Sequence, residues 1–131
     1  MQSKGLGAIV TGSTSGIGHA IAEALARSGH HVMLNGFGDA AAIEQMRQQL
    51  AQDTGVKVAY SNADMTKHEQ IAQMVAQAER EFGSVDILVN NAGIQFVAPV
   101  DEFPEAKWEQ ILAINLSSNF YAIKAVLPGM K

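Results

Sequence analysis

The chain has 131 residues, 47% of them apolar and 17% charged, which suits one domain with its own core rather than a disordered segment. A net charge of −4 gives no electrostatic reason to bind DNA, RNA or an anionic membrane surface, and the absence of cysteine excludes disulfides, zinc-thiolate sites and cysteine nucleophiles. No uninterrupted apolar run approaches membrane-spanning length and the first seven residues lack the apolar core of a signal peptide, so the expectation is a cytoplasmic domain with neither nucleic acid nor membrane as partner.

Short apolar runs alternate with helical patterns along the chain. Residues 8–11 read as a buried strand ending in glycines, and residues 17–28 as a helix with Ile17, Ala22, Ile21, Leu25 and Ala26 at helical spacing. Residues 31–35 give a second strand, residues 40–52 a helix of strong helix formers, and residues 56–61 a third strand. Residues 69–82 place Ile71, Met74, Val75, Ala78 and Phe82 on one stripe, with Thr66 in position to cap that helix. A fourth strand at 85–89 runs into Asn90-Asn91-Ala92-Gly93, and a long helix follows from about Pro104 to Leu127, with a break near Asn115. Strands alternating with helices of this length require crossovers, and so a parallel sheet. There is no linker, low-complexity segment or repeat, so residues 1–131 are read as part of one α/β domain.

The loop between the first strand and helix is Thr11-Gly12-Ser13-Thr14-Ser15-Gly16-Ile17-Gly18. Gly12 can turn the chain sharply, Gly16 lets backbone approach a phosphate, and Gly18 lets the helix pack closely. The helix then turns unpaired N–H groups and its positive dipole end toward a pyrophosphate, with Ser13, Thr14 and Ser15 adding hydroxyls. A glycine triplet alone is weak evidence, but here it follows a strand and opens a helix, as a dinucleotide site demands. No Lys follows Gly18, so the loop is not a P-loop.

Thr-Gly-x-x-x-Gly-x-Gly at 11–18, Asp64 after the third strand, Asn-Asn-Ala-Gly at 90–93 and Asn115 form one ordered set that resembles the short-chain dehydrogenase/reductase family over the whole chain. The resemblance implies a Rossmann-type doubly wound parallel sheet, here truncated after the fourth strand and a long helix. It also implies that Gly12 through Gly18, Ile17 included, bind the cofactor, that Asp64 accepts from the adenine amino group and that Met65 contacts the ring. Asn91, Ala92 and Gly93 would border the cofactor, Asn90 would steady the sheet, and Asn115 would serve the catalytic proton relay from its backbone. Between Ile114 and Leu116, Asn115 reads as buried.

At the end of the second strand stand Asn35-Gly36-Phe37-Gly38-Asp39, with Gly36 where an acidic residue usually marks NAD. No Arg or Lys stands there for a 2′-phosphate and Asp39 would repel one, which favours NAD over NADP, with Phe37 packing near the adenosine. Gly93-Ile94-Gln95, the turn at 35–38 and the closing stretch are similar to bacterial D-3-hydroxybutyrate dehydrogenases, which implies that Gln95 contacts the substrate carboxylate and that 3-hydroxybutyrate is oxidised to acetoacetate. Phe96 departs from that pattern.

The family's chemistry also needs a Tyr followed four residues later by Lys. Neither Tyr60 nor Tyr121 has that partner, so the chain is expected to be a fragment, inactive alone, with the strand at 85–89 left as an open apolar edge. The resemblance implies a homotetramer at full length. Alternatives are an NADPH-dependent 3-oxoacyl carrier-protein reductase, disfavoured by the missing cation, and a non-catalytic dinucleotide-binding module, for which Asn115 would have no relay to serve.

Overall fold

A computed structural model describes residues 5–131; the first four residues, on which part of the N-terminal reading rests, lie outside it. In chain order the elements are β1 (Gly7–Val10), α1 (Gly16–Arg27), β2 (His31–Asn35), α2 (Ala40–Thr54), β3 (Val58–Ser61), α3 (His68–Phe82) and β4 (Ile87–Val89). A 3-10 turn (Val100–Glu102), α4 (Glu105–Leu112), a π-helical turn (Ala113–Ser117) and α5 (Ser118–Met130) complete it.

The four strands form one parallel sheet in the order β3-β2-β1-β4. Ile9 pairs with Met33 on one side and Leu88 on the other, so β1 is central and wholly buried. Because side chains alternate across a strand, neighbouring residues feed two separate cores. Ile9, Met33 and Ala59 meet Ile71, Met74, Val75 and Ala78 of α3 and Ala122 and Val126 of α5. Val10, Val32, Leu34 and Val58 meet Ala22 and Ala26 of α1 and Leu50 of α2. Helices therefore cover both faces, as in a Rossmann-type doubly wound fold, and each buried Ile, Leu or Met side chain contributes about 2 kcal/mol.

The open edges differ. Along β3, Arg47 donates to the Val58 carbonyl at 2.8 Å and Gln77 to the Tyr60 carbonyl at 3.4 Å, which blunts the edge. At β4, Ile87, Leu88 and Val89 are only half-buried, the open apolar edge anticipated from the sequence.

Two local expectations are corrected, while the irregularity expected near Asn115 is present: α4 ends at Leu112, one π-helical turn spans Ala113–Ser117, and α5 resumes at Ser118. Asn115 is exposed, not buried, since Ser118, Ala122 and Val126 form the covered stripe of α5. Thr66 does not cap α3: Lys67 is the N-cap residue and makes no side-chain capping bond, while the Thr66 hydroxyl donates to Asp64 Oδ1 at 2.7 Å. Taken together, Glu105–Met130 is long and apolar enough by length and composition to cross a membrane, with an 18-residue window of mean hydropathy 1.2, although no single uninterrupted apolar run reaches that length.

Candidate dinucleotide site

The carboxyl ends of β1 and β4 are sewn together by one hydroxyl. Thr11 Oγ1 accepts from the backbone N–H of Asn91 and of Ala92, both at 3.0 Å, and donates to the Val89 carbonyl at 3.4 Å. Asn91 Nδ2 donates to the Gly12 carbonyl at 3.0 Å, so the turn at 90–93 lies directly against the glycine loop. Gly12 sits at φ +62°, and a Cβ there would lie 2.9 Å from the Ala92 Cα. A Cβ on Gly18 would stand 2.3 Å from the Gly12 carbonyl oxygen and 2.4 Å from Asn91 Nδ2, so the start of α1 reaches the loop only because residue 18 has no side chain.

Asn35, which the sequence reading passed over as a strand end, organises the other side of the loop. Its side chain is buried; Oδ1 accepts from Gly12 N–H at 3.1 Å, and Nδ2 donates to the carbonyls of Ser61 at 3.2 Å and Ala63 at 3.1 Å. Ser13 is buried as well, its hydroxyl donating to the Val10 carbonyl at 2.6 Å and accepting from Asn35 N–H at 3.0 Å. That hydroxyl is committed within the fold. Thr14 donates to the Phe37 carbonyl at 3.4 Å, and Ser15 is exposed at the N-cap of α1 with no side-chain capping bond. A polar residue closing the apolar run Val32-Met33-Leu34 was the available signal for Asn35, since a buried amide must be satisfied somewhere.

Around this loop the other predicted residues take distinct places. Phe37 is exposed beside a hollow of about 200 Å³ that Thr14, Ser15, Asp39, Ile43 and Met46 also line. Asp64 Oδ1 accepts from Thr66 N–H at 2.9 Å; hydrogen bonds from the Thr66 side chain and backbone hold its carboxyl below the usual range, so it stays an anion. Gln70, also unremarked in the sequence, steadies that turn by accepting from Asp64 N–H at 2.8 Å. Met65 buries its side chain in the core, which leaves backbone for any ligand contact. A hollow of about 630 Å³ runs along the β3 edge from Ser61 and Ala63 past Gln70 to Arg80.

Asn115 Oδ1 accepts from Ile94 N–H at 2.9 Å and its Nδ2 donates to the Ile94 carbonyl at 2.8 Å, which fixes the loop carrying Gly93 and the exposed Gln95. Its own carbonyl accepts from Asn119 Nδ2 at 3.2 Å. Of the two tyrosines, Tyr60 donates its hydroxyl to the Gly36 carbonyl and burial raises its pKa, the reverse of activation, while Tyr121 stacks on His68 at 5.1 Å.

Two observations fit a dinucleotide to the loop. No acidic residue lies in the first turn of α1 and no side chain caps it, so its positive end is uncompensated. A Cβ on Gly16 would meet nothing within 4 Å, so the backbone there borders open space that a phosphate could enter.

The family model for short chain dehydrogenases matches residues 7–131. The chain is 52% identical over 124 residues to a D-beta-hydroxybutyrate dehydrogenase of Cupriavidus necator, covering 95% of this chain and 47% of that protein. It is 48% identical over 124 residues to the one of Rhizobium meliloti, covering 95% and 48%. Among solved structures, a variant short-chain dehydrogenase/reductase of Serratia marcescens superposes with a TM-score of 0.92 at 32% identity, covering 100% of this chain and 53% of that one. L-Sorbose reductase of Gluconobacter frateurii, complexed with NADPH and L-sorbose, gives 0.89 at 31% identity, covering 99% and 50%. The chain belongs to the short-chain dehydrogenase family, and it spans about half the length of the curated relatives it matches.

Proposed function

We propose that residues 1–131 are the dinucleotide-binding part of a single short-chain dehydrogenase domain, and that the whole protein is an NAD-dependent oxidoreductase converting 3-hydroxybutyrate to acetoacetate. The observation that carries this reading is the continuous tie from the open glycine loop through Thr11 and Asn91 to the turn at 90–93, and onward through Asn115 to the loop bearing Gln95. The identity to two D-beta-hydroxybutyrate dehydrogenases supports the substrate.

When bound, the nicotinamide supplies a hydride acceptor. Gly12, Ser15, Gly16, Ile17 and Gly18 would hold the pyrophosphate by backbone N–H groups and the helix end, with Ser13 and Thr14 shaping the loop. Asp64, an anion, would accept from the adenine amino group beside the Met65 backbone, and Phe37 would pack on the adenosine. Asn91, Ala92 and Gly93 would line the cofactor, and Gln95 would donate to the substrate carboxylate. Asn115 positions the Gln95 loop and offers a backbone carbonyl to the proton relay. The missing cation near Gly36 supports NAD, although the sorbose reductase neighbour carries NADPH. The exposed Leu116, Phe120, Ile123 and Leu127 support a homo-oligomer, a tetramer in this reading.

Oxidation of 3-hydroxybutyrate by the full-length protein, followed as NADH formation, tests the proposal. Gln95→Ala is expected to raise KM for 3-hydroxybutyrate with little change for NAD. Residues 1–131 alone, without a Tyr–Lys pair, are expected to show no turnover. Preference for another alcohol with 3-hydroxybutyrate inert would overturn the substrate assignment.

A further inference from the structure

We infer that Asn35–Gly36 is a self-modification site: the Asn35 carboxamide deamidates when the glycine loop opens, and the closed loop, above all with a dinucleotide bound, holds the reaction off. The inference goes beyond the dinucleotide reading, and only its ligand arm rests on it.

Of the asparagines in the chain, only Asn35 precedes a glycine; the others precede Ala63, Asn91, Ala92, Leu116 and Phe120. In such a pair the backbone nitrogen of the second residue attacks the side-chain carbonyl carbon of the first. A glycine nitrogen is the least shielded, because no Cβ stands beside it. A new C–N bond forms, the side-chain nitrogen leaves as ammonia, and water opens the resulting succinimide ring to aspartate or isoaspartate. Water is the one co-reactant, and nothing is oxidised or reduced. The attacking nitrogen is available here: Gly36 N–H has no hydrogen-bond partner among the described residues.

The carboxamide is what the fold restrains. It cannot turn onto that nitrogen without giving up three bonds: Oδ1 accepts from Gly12 N–H at 3.1 Å, and Nδ2 donates to the carbonyls of Ser61 at 3.2 Å and Ala63 at 3.1 Å. The peptide between the two residues is pinned as well. The Asn35 carbonyl accepts from Ser13 N–H at 2.6 Å, and the Gly36 carbonyl accepts from the Tyr60 hydroxyl. Asn35 is buried, which also keeps out the water that opens the ring. Two of these restraints come from the glycine loop, at Gly12 and Ser13, so opening of that loop frees the carboxamide and admits water together. A ligand that binds only the closed loop lowers the open population and so slows the reaction. The product does not fit the place it leaves. An aspartate sets a carboxylate oxygen against the carbonyls of Ser61 and Ala63, acceptor against acceptor, and isoaspartate lengthens the backbone at the turn. Each event therefore retires one dinucleotide site, and the unliganded protein ages faster than the liganded one.

Peptide mapping by mass spectrometry, on the purified protein held in mildly alkaline buffer, measures aspartate and isoaspartate formed at each asparagine. In urea Asn35 is expected to react fastest of them. In the native protein it should react about a hundredfold more slowly than in urea, as suits three hydrogen bonds lost on opening. Saturating NAD should slow it by a further factor of about ten or more. Gly18→Ala, which crowds the Gly12 carbonyl, should speed it in the folded protein. Asn35→Asp, made directly, should bind NAD about tenfold more weakly or worse. If that variant does not fold, the wild-type rates decide the matter. A native rate equal to that in urea, no excess at Asn35 in urea, a rate indifferent to NAD that does bind, or full NAD affinity in Asn35→Asp would each overturn the inference. Failure of the wild-type protein to bind NAD would overturn the dinucleotide reading and the ligand arm with it, while the contrast between native and urea rates would still decide the rest.

Discussion

The side-chain amide of Asn115 closes both hydrogen bonds of the Ile94 backbone, 21 residues earlier in the chain, accepting from its N–H at 2.9 Å and donating to its carbonyl at 2.8 Å. A helix and the loop after β4 are thus held in one register by a single exposed residue. Asn115→Ala is expected to cost about 1–2 kcal/mol, the net worth of two hydrogen bonds. It should also speed hydrogen exchange at the Ile94 amide. Asn115→Asp keeps the acceptor and loses the donor, so exchange there should stay slower than in Asn115→Ala.

Asn35 is expected to matter more, because its amide is buried and three backbone groups depend on it. Asn35→Ala would leave Gly12 N–H and the carbonyls of Ser61 and Ala63 without this partner, at a cost of about 3 kcal/mol in urea unfolding. Since Gly12 belongs to the glycine loop, NAD affinity should fall as well. A variant with unchanged stability would contradict the role of Asn35 as the hub of the loop.

Gly16 and Gly18 should separate binding from folding. In Gly18→Ala the new methyl meets the Gly12 carbonyl oxygen and Asn91 Nδ2, so stability and binding should both fall. In Gly16→Ala the methyl enters open space, at φ +61°, and costs about 1–2 kcal/mol of backbone strain. Its larger effect should be on dinucleotide affinity, because the methyl stands where a phosphate must approach. Differential scanning fluorimetry with and without NAD distinguishes the two patterns.

Stability should also depend on pH through His31. Its Nδ1 accepts from Lys57 N–H at 3.1 Å; burial first, then the Lys57 ammonium and His30, push its pKa below the ordinary 6.5. The fold therefore favours neutral imidazole, while the unfolded chain takes up a proton at the ordinary value. The contribution is complete above pH 6.5 and is lost as pH falls through the lowered folded value. Urea midpoints should decline from about pH 7 to about pH 5, and His31→Gln should flatten that part of the profile. An unchanged slope in the variant would assign the decline to other groups.

What the sequence disclosed was local, and what it withheld was tertiary. The strand His31–Asn35 was legible to the residue because a short apolar run ends at glycine, and the close approaches expected of Gly12 and Gly18 are present in the loop. The second helix runs two residues past its expected end, to Thr54, where Gly55 in a left-handed conformation stops it. Asn35 escaped notice because its partners lie 23 to 28 residues away. Asn115 was misjudged as buried because its apolar neighbour Leu116 is itself exposed, the covered residues of this stretch being Ser118, Ala122 and Val126. Thr66 fitted a capping pattern, yet its hydroxyl found Asp64 first.

The most direct test of the account is calorimetric titration of the purified protein with NAD, followed by NADP. The account predicts saturable binding of NAD, weakened in Gly16→Ala, and weaker binding of NADP. Binding of neither dinucleotide, or tighter binding of NADP, would contradict it.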